Sequence, residues 1–379
     1  MEKDHLRNET SGSAKAVPVD QAVGMVLAHD VTEIRRNEFK GQAFRKGHVI
    51  RQEDIPKLKQ IGKEHLYTLT LSADELHEDD AALALGRALA GGGVTIPGGP
   101  REGKVMLIAD RDGLLTIDKE ALLRINMLGD VLCSTLHTDT VVKKGRILAG
   151  AKALPLVLQR AVIDEAVSIA DRVRAGGATG IISVREMRRP RAGVVITGRE
   201  VFEGRIKDSF GSVIGSKIEE LGGEIVGTYF APDDKEFIRR RLEELLAAGA
   251  DLLVATGGMS VDPDDVTRFA IRDLGAVDVV YGSPVLPGAM VLVAYLETSD
   301  RRQVTSYKQN PLVSRRSSLI PILGIPACGM YHKTTIVDLL LPRILAGDRI
   351  GRRELSELGH GGMCLNCGEC RYPVCPFGK

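Results

Sequence analysis

Three short apolar runs in the second half of the chain each lead into a glycine-rich turn. Amphipathic helical patterns separate these runs, and regular alternation of strand and helix predicts a parallel α/β sheet. Parallel strands end at a common edge, where such sheets bind ligands, and glycine lets the backbone approach an anion or a planar ring closely. The runs at residues 194–196, 252–254 and 320–323 lead into Thr197-Gly198, Thr256-Gly257-Gly258 and Gly324-Ile325-Pro326.

The chain has 379 residues, enough for two or three domains with cores of their own. Changes of pattern at glycine, proline and polar turns predict five segments. We expect a disordered start at residues 1–15, a small module at 16–72, a β-rich domain with flanking helices at 73–180, an α/β domain with a mostly parallel sheet at 181–350 and a cysteine-rich tail at 351–379.

The overall composition argues against several classes of partner. Lys plus Arg (51) nearly equals Asp plus Glu (50), so no overall field favours nucleic acid or an acidic membrane. Aromatic residues make up 4% and Trp is absent, which argues against a platform for stacking single-stranded bases. No apolar run is long enough to span a bilayer, and the polar start lacks a signal-peptide core. We therefore expect a cytoplasmic protein with no nucleic-acid or membrane partner.

The strongest chemical signal lies in residues 257–267. This segment places backbone N–H groups, the hydroxyl of Ser260 and the carboxylates of Asp262 and Asp265 at a predicted strand-to-helix transition. The amides suit phosphate, and the carboxylates suit a Mg²⁺ ion that bridges to phosphate. Ordinary capping explains the same residues equally well, with Asp262 at the N-cap and Pro263 at the first helical position.

A second pair of polar residues, Asp208-Ser209, opens a predicted helix soon after the turn at Thr197-Gly198. Capping explains one of these two residues. It does not explain why both turns fall at the same sheet edge. A ligand site and simple capping therefore both stay open for these positions.

Six short motifs follow one another through the α/β region. They are Thr197-Gly198-x-Glu200, Asp208-Ser209, Gly223-Glu224-Ile225-Val226, Asp233-Asp234, Thr256-Gly257-Gly258-x-Ser260-Val261, and Asp265 with its flanking Pro263, Val266 and Thr267. In order and spacing, across roughly residues 190–345, they resemble the molybdopterin-binding domain of molybdenum-cofactor biosynthesis proteins. The earlier residues 17–71 are similar to the amino-terminal part of the molybdopterin molybdotransferases.

The resemblance implies a three-layer αβα domain that binds molybdopterin, often adenylylated, together with Mg²⁺ and molybdate. The transferase reaction of the family moves molybdate onto the dithiolene while adenylate is hydrolysed away. The resemblance also implies a homo-oligomer. Carried over, Asp208 and Asp265 would lie near the metal or the reacting phosphate, and the cofactor would be held by Thr197, Gly198, Glu200, Ser209, Thr256, Gly257, Gly258, Ser260 and Asp262.

Two positions depart from the family pattern and leave the activity open. Residues 325–330 replace a Leu-Pro-Gly-Asn-Pro-like turn, so the Asn is lost and the thiol of Cys328 appears. Arg199 stands where the family has Asp. Its guanidinium could bind a phosphate through two hydrogen bonds, or the replacement could indicate a different substrate. One alternative is a non-catalytic cofactor carrier or sensor whose tail docks to a molybdoenzyme. A more remote alternative is a nucleotide pyrophosphate hydrolase.

Four of the six cysteines lie in the last sixteen residues, which is a poor disulfide framework and a better metal site in a reducing compartment. The run Cys364-x₂-Cys367-x₂-Cys370-x₄-Cys375-Pro376 has one residue more than the ferredoxin pattern before its last cysteine. The first interpretation is an iron–sulfur cluster held by these four thiolates. A structural Zn²⁺ site is the second, and a flexible tail without a ligand is the third.

Overall fold

The computed structural model describes residues 14–35, 39–69, 71–260, 262–297 and 319–379. The chain divides into two compact units, one containing residues up to 137 with 142–185, the other containing 138–141 with 186–379. The expected disorder of residues 1–15 falls outside the described residues except at positions 14 and 15, which belong to a strand. The expected polar loop at 298–318 also lies outside them. The finer division into five segments stays a prediction.

The first unit begins with a small α+β module. Strand β1 (Ala14–Pro18) pairs antiparallel with β4 (His65–Leu69), and β2 (Val31–Arg35) pairs antiparallel with β3 (Phe39–Phe44). Helix α1 (Ile55–Gln60) lies between β3 and β4 in the chain. Apolar side chains that include Val19, Leu27 and Leu58 form a buried cluster of their own in this module.

The rest of the first unit is β-rich. Two of its sheets have the strand orders β6-β7-β11-β9 and β10-β8-β13, and β5 pairs with β12. Helices α2 and α4 contribute to the same buried cluster as these strands. The elements are β5 (Glu75–His77), α2 (Glu78–Leu89), β6 (Val94–Thr95), β7 (Lys104–Ala109), β8 (Gly113–Ile117), α3 (Lys119–Asn126), β9 (Val131–Thr135), β10 (Val141–Val142), β11 (Ile147–Ala153), β12 (Val157–Gln159), α4 (Arg160–Ala175) and β13 (Ile182–Arg185).

Two helix starts in this region were predicted too early. The sequence predicts helices over residues 74–90 and from about 156 to 174, but the chain first forms the short strands β5 and β12. These strands pair antiparallel, with Leu76 opposite Leu158. Their backbone N–H and C=O groups therefore form hydrogen bonds between the strands, and each helix begins only after its strand ends. A pairing between segments about 80 residues apart leaves no local signature.

The second unit contains the predicted α/β domain. Its elements are β14 (Arg191–Thr197), α5 (Arg199–Phe202), α6 (Phe210–Glu220), β15 (Glu224–Ala231), α7 (Lys235–Ala247), β16 (Leu252–Thr256), α8 (Thr267–Asp273), β17 (Val277–Tyr281), β18 (Leu292–Glu297), β19 (Leu319–Ile325), α9 (Cys328–Tyr331), α10 (Ile336–Leu345) and α11 (Arg352–Glu357). Across the described ranges, no helix combines the length and the apolar character needed to cross a membrane.

One six-stranded sheet organises this unit, in the order β15-β14-β16-β19-β18-β17. The first three pairings in this order are parallel. The last two, β19 with β18 and β18 with β17, are antiparallel. Alternate side chains of β14 enter different cores: Val194 packs with α6 and α10, whereas Val195 packs with α7 and α8. A strand covered on both faces is apolar throughout, which is why the runs read as continuous hydrophobic segments. The three-layer αβα fold and the mostly parallel sheet are confirmed.

Local capping explains where the helices of this unit begin. The sequence predicts that Asp233 or Asp234 caps α7, and Asp234 does so, because its Oδ1 accepts a hydrogen bond from the N–H of Phe237 at 2.7 Å. The sequence predicts a helix over roughly residues 332–345, but this helix, α10, starts at Ile336 because Thr335 and Asp338 form a capping box there. Gly324 lies inside β19, so the third glycine turn begins one residue after Ile325, at Pro326.

Candidate functional site

The strand register brings the ends of β14, β16 and β19 together. Ile196 lies opposite Thr256, and Thr256 lies opposite Ile325. The N–H of Gly257 then donates to the carbonyl of Ile325 at 3.2 Å, which ties the turn after β16 to the end of β19. Turns that are far apart in the chain therefore share one edge of the sheet.

A buried group of threonine hydroxyls lies under these turns. Thr197 Oγ1 donates to the main-chain oxygen of Thr256 at 2.9 Å and lies 3.1 Å from Thr267 Oγ1. Thr197 is 5% exposed, and Thr256 and Thr267 are fully buried. Within the described part of the chain, Thr256 Oγ1 has no hydrogen-bond partner. We call Thr197, Thr256 and Thr267 the hydroxyl cluster.

Gly257 and Gly258 close over the hydroxyl cluster because neither carries a side chain. Both have positive φ, +83° and +58°. A Cβ at Gly257 would lie 2.7 Å from the carbonyl oxygen of Thr197, and a Cβ at Gly258 would lie 2.3 Å from Thr267 Oγ1. Any L side chain would be strained here and would push the turn away from the hydroxyls.

Thr267 was not among the predicted site residues. It appeared only as the end of a resembling motif, and a threonine at the first position of a helix has no special signature. Its burial beneath Gly258 depends on where α8 starts. The sequence could have indicated it only through the spacing from Gly257-Gly258.

Asp208 acts as a helix cap in this structure. Its Oδ1 accepts from the N–H of Phe210 at 2.8 Å, and its Oδ2 accepts from the N–H of Gly211 at 3.0 Å. Both carboxylate oxygens are thus engaged at the start of α6, and the neighbouring Ser209 is exposed. Capping accounts for the contacts of Asp208, and its predicted catalytic role stays a prediction.

The capping interpretation of Asp262 and Pro263 is wrong. Helix α8 starts at Thr267, so neither residue occupies the position that capping requires. Instead, the N–H of Asp262 donates to Asp265 Oδ2 at 3.1 Å, and the N–H of Asp265 donates to the carbonyl of Asp262 at 3.0 Å. This closed turn leaves Asp262 and Asp264 exposed and Asp265 half-buried. The predicted ligand-binding role of Ser260, Asp262 and Asp265 is untested by these contacts.

Three carboxylates from three separate segments of the chain influence one another at this edge. Burial raises the pKa of Asp233, and the charges of Glu200 and Asp264 raise it further, while a hydrogen bond from the Arg199 N–H lowers it. That bond joins Arg199 N to Asp233 Oδ2 at 3.0 Å. From sequence alone, either Asp233 or Asp234 is expected to cap the helix that follows. The structure separates them, because Asp234 caps α7 and Asp233 faces Glu200 and Asp264.

Metal-binding groups are not preassembled at this edge. Among the described residues, no three His, Cys, Asp or Glu side chains are grouped so that they could hold one metal ion. This finding extends to the cysteine tail, although Cys364, Cys367, Cys370 and Cys375 all line one cavity of about 230 Å³. The metal roles inferred from sequence therefore remain proposals.

Two family models match separate parts of the chain. Residues 193–346 match the model described as "Probable molybdopterin binding domain". Residues 16–70 match one described as "Domain of unknown function (DUF8806)". The first match covers every predicted site residue at the sheet edge.

Curated relatives match over limited stretches. A CinA-like protein of a Mycobacterium species is 39% identical over 89 residues, which cover 22% of this chain and 21% of that protein. A CinA-like protein of Mycolicibacterium vanbaalenii is 36% identical over 196 residues, which cover 48% of this chain and 44% of the relative. The chain thus spans less than half the length of these relatives.

Similar solved structures include the tungsten cofactor synthesizing protein MoaB from Pyrococcus furiosus, with 18% identity and a TM-score of 0.32 over 42% of this chain and 96% of that one. The molybdopterin biosynthesis MoeA protein from Pyrococcus horikosii aligns with 89% of this chain and 76% of its own, at 16% identity and a TM-score of 0.29. Scores this low add nothing to the assignment, which depends on the family model and the αβα topology. Residues 193–346, within the second unit, belong to the molybdopterin-binding domain family.

Proposed function

We propose that this protein binds molybdopterin, free or adenylylated, at the edge formed by the ends of β14, β16 and β19. It would take part in molybdenum-cofactor biosynthesis by inserting molybdate. The observation that carries this proposal is the hydroxyl cluster beneath Gly257 and Gly258, inside the segment that matches the molybdopterin-binding family. Buried hydroxyls under a side-chain-free turn form a rigid floor on which a phosphate group can rest against backbone amides.

The carboxylates of this edge fit Mg²⁺ as a partner of the bound phosphate. Mg²⁺ takes one or two carboxylates and fills its remaining positions with water and phosphate oxygens, so a preassembled group of three ligands is not required. Asp233 lies against the charges of Glu200 and Asp264, and a divalent cation would offset that repulsion. When bound, the ion would neutralise phosphate charge.

Buried and exposed residues of this edge have different roles in the proposal. Thr197 and Thr267 are buried and hold the turn in place, whereas Asp262 and Asp264 are exposed and able to reach a ligand or an ion. The half-buried Asp265 closes the turn that carries them. In this scheme Asp265 lies near the metal or phosphate and orients the loop. Asp208 sets the start of α6.

A carrier without turnover is the second candidate, favoured by the segment after β19. Cys328 begins the short helix α9, where the related transferases have an Asn-containing turn. Burial raises the pKa of the Cys328 thiol, so it is a poor replacement nucleophile at neutral pH. Cofactor binding would survive this change, while molybdate insertion could be lost.

One set of assays separates these functions. The full-length protein is incubated anaerobically with adenylylated molybdopterin, Mg²⁺ and molybdate, and both cofactor formation and adenylate release are measured. Molybdate-dependent release of adenylate supports the transferase, whereas saturable binding without release supports the carrier. Cleavage of a nucleotide pyrophosphate such as ADP-ribose, without binding of any pterin, would overturn both and identify a hydrolase.

A further inference from the structure

The cysteine-rich tail is packed onto the second unit. The N–H of Cys364 donates to the carbonyl of Leu286 at 2.8 Å, and the hydroxyl of Tyr372 donates to the carbonyl of Asp338 at 3.1 Å. Phe377, beyond the last cysteine, is 2% exposed and belongs to the core shared with α6 and α10. A tail of this kind holds its side chains in defined places, so the flexible-tail interpretation does not describe it.

All four tail cysteines surround one cavity. Cys364, Cys367, Cys370 and Cys375 line a space of about 230 Å³, and none of them forms a disulfide. A cavity needs only about 10–15 Å³ to hold a single water. This space is many times larger than one metal ion would occupy. The volume suits an occupant larger than one ion.

The volume of the cavity favours a polynuclear cluster over a single ion. Four thiolates around one Zn²⁺ must come within about 3.8 Å of one another, because each Zn–S bond is about 2.3 Å and the geometry is tetrahedral. Within the described ranges, no three side chains of the metal-binding types are grouped closely enough for one ion. In a four-iron cluster, iron and sulfide alternate at the corners of a cube and one thiolate binds each iron from outside, so the four thiolates stay farther apart.

The surroundings of the cavity also suit an anionic occupant. Lys333 and Arg371 line it together with the four cysteines. A four-iron cluster with four thiolate ligands carries net negative charge, which these cations would offset. The Oγ1 of Thr334 lies 3.1 Å from the Sγ of Cys370 and can donate a hydrogen bond to that sulfur. Hydrogen bonds to ligand sulfurs are a recognised feature of iron–sulfur sites.

We propose that Cys364, Cys367, Cys370 and Cys375 ligate one [4Fe–4S] cluster in this cavity. Loading releases the four thiol protons to solvent as a preformed cluster is supplied, or as two ferrous ions, two ferric ions and four inorganic sulfides are supplied. No thiol is oxidised. This site is separate from the hydroxyl cluster, so the inference stands or falls independently of pterin binding.

The test is the metal and sulfide content of the full-length protein, purified without oxygen. We expect about four irons and about four labile sulfides per chain, with visible thiolate-to-iron absorbance and an electron paramagnetic resonance signal after reduction. A colourless protein that holds one zinc per chain would overturn the proposal. A protein that takes up no iron after anaerobic incubation with iron and sulfide would also overturn the proposal.

Two cysteine variants provide a matched comparison. Cys370→Ser removes a cavity thiol and should lower the iron content and bleach the visible absorbance. Cys328→Ser changes a half-buried thiol that does not line this cavity, and should leave both unchanged. Equal iron content in the two variants contradicts the assignment. Should Cys370→Ser fail to fold, as judged by circular dichroism, the analysis of the unmodified protein still decides.

Discussion

The hydroxyl oxygens of Thr197 and Thr267 lie 3.1 Å apart, although 70 residues separate them in the chain. The single hydroxyl hydrogen of Thr197 is donated in a hydrogen bond to the carbonyl of Thr256. In the hydrogen bond between Thr197 and Thr267, the donor is therefore Thr267. The contact joins the end of β14 to the start of α8. It thereby fixes the position of the turn at Gly257 and Gly258, which packs against both threonines.

Replacing Thr267 by valine should weaken both the domain and its ligand binding. The substitution keeps the shape but leaves buried Thr197 Oγ1 without its donor, a loss of about 1–3 kcal/mol in unfolding free energy. Thr267→Ser keeps the hydroxyl and should remain close to the unmodified protein. Chemical denaturation and pterin titration measure the two effects. Indistinguishable Val and Ser variants would show that the hydroxyl has no role.

Asp233→Asn should reduce the dependence of ligand binding on Mg²⁺. The amide removes one of three mutually repelling carboxylates, so less is gained from a divalent cation. Asp234→Asn is the matched control, since asparagine caps a helix as well as aspartate and α7 should persist. Pterin titrations at several Mg²⁺ concentrations give the comparison. If both variants keep the Mg²⁺ response of the unmodified protein, Asp233 is not part of the metal environment.

Arg188→Met should destabilise the second unit strongly. The guanidinium donates to Asp251 Oδ1 at 2.5 Å and to the Asp251 carbonyl at 2.9 Å, and the arginine side chain is only 7% exposed. Breaking a buried pair by removing one partner costs about 3–5 kcal/mol, because the other charge stays buried. Arg239→Met, which breaks exposed pairs on α7, should change little. If urea denaturation shows comparable losses of unfolding free energy for Arg188→Met and Arg239→Met, the stabilising role of the buried Arg188 is refuted.

The stability of the first unit should fall as pH rises toward neutrality, through Glu78. This carboxyl is 9% exposed, and burial together with the charge of Asp79 raises its pKa from 4.5 to about 7. Between these values the folded chain keeps a proton that the unfolded chain has released, so stability declines with pH until the folded group also ionises.

Glu78→Gln should therefore stabilise the protein at pH 8 by up to about 3 kcal/mol and have little effect near pH 4.5. Denaturation curves at several pH values follow this difference. A gain that is the same at both pH values would mean that the carboxyl does not titrate as described.

The sequence predicted the features that depend on local periodicity and missed those that depend on distant partners. Val194 and Val195 lie in a continuous apolar run, which was enough to predict a strand of a parallel α/β sheet, and the structure covers both faces of that strand. Strand β5 was missed because its partner β12 lies far along the chain. The start of α8 was misplaced because Asp262 and Asp265 close a turn with each other, which resembles a cap in the sequence.

The candidate site shows the same division. Gly257 and Gly258 were identifiable from sequence because only glycine suits positive φ beside a strand end. The burial of Thr267 arises only when the end of β14, the end of β16 and the start of α8 come together. Four cysteines in regular spacing predicted a metal site, but the size of the cavity they enclose required the folded tail.

Anaerobic titration of full-length protein with molybdopterin tests the central claim most directly, using Gly258→Ala and Gly215→Ala. A Cβ at Gly258 meets Thr267 Oγ1 at 2.3 Å, whereas a Cβ at Gly215 in α6 meets nothing within 4 Å. We predict saturable binding with a Kd on the order of a micromolar or tighter in the unmodified protein and in Gly215→Ala. In Gly258→Ala it should be weakened at least tenfold. Absence of binding to the unmodified protein, or equal binding by both variants, would contradict the account.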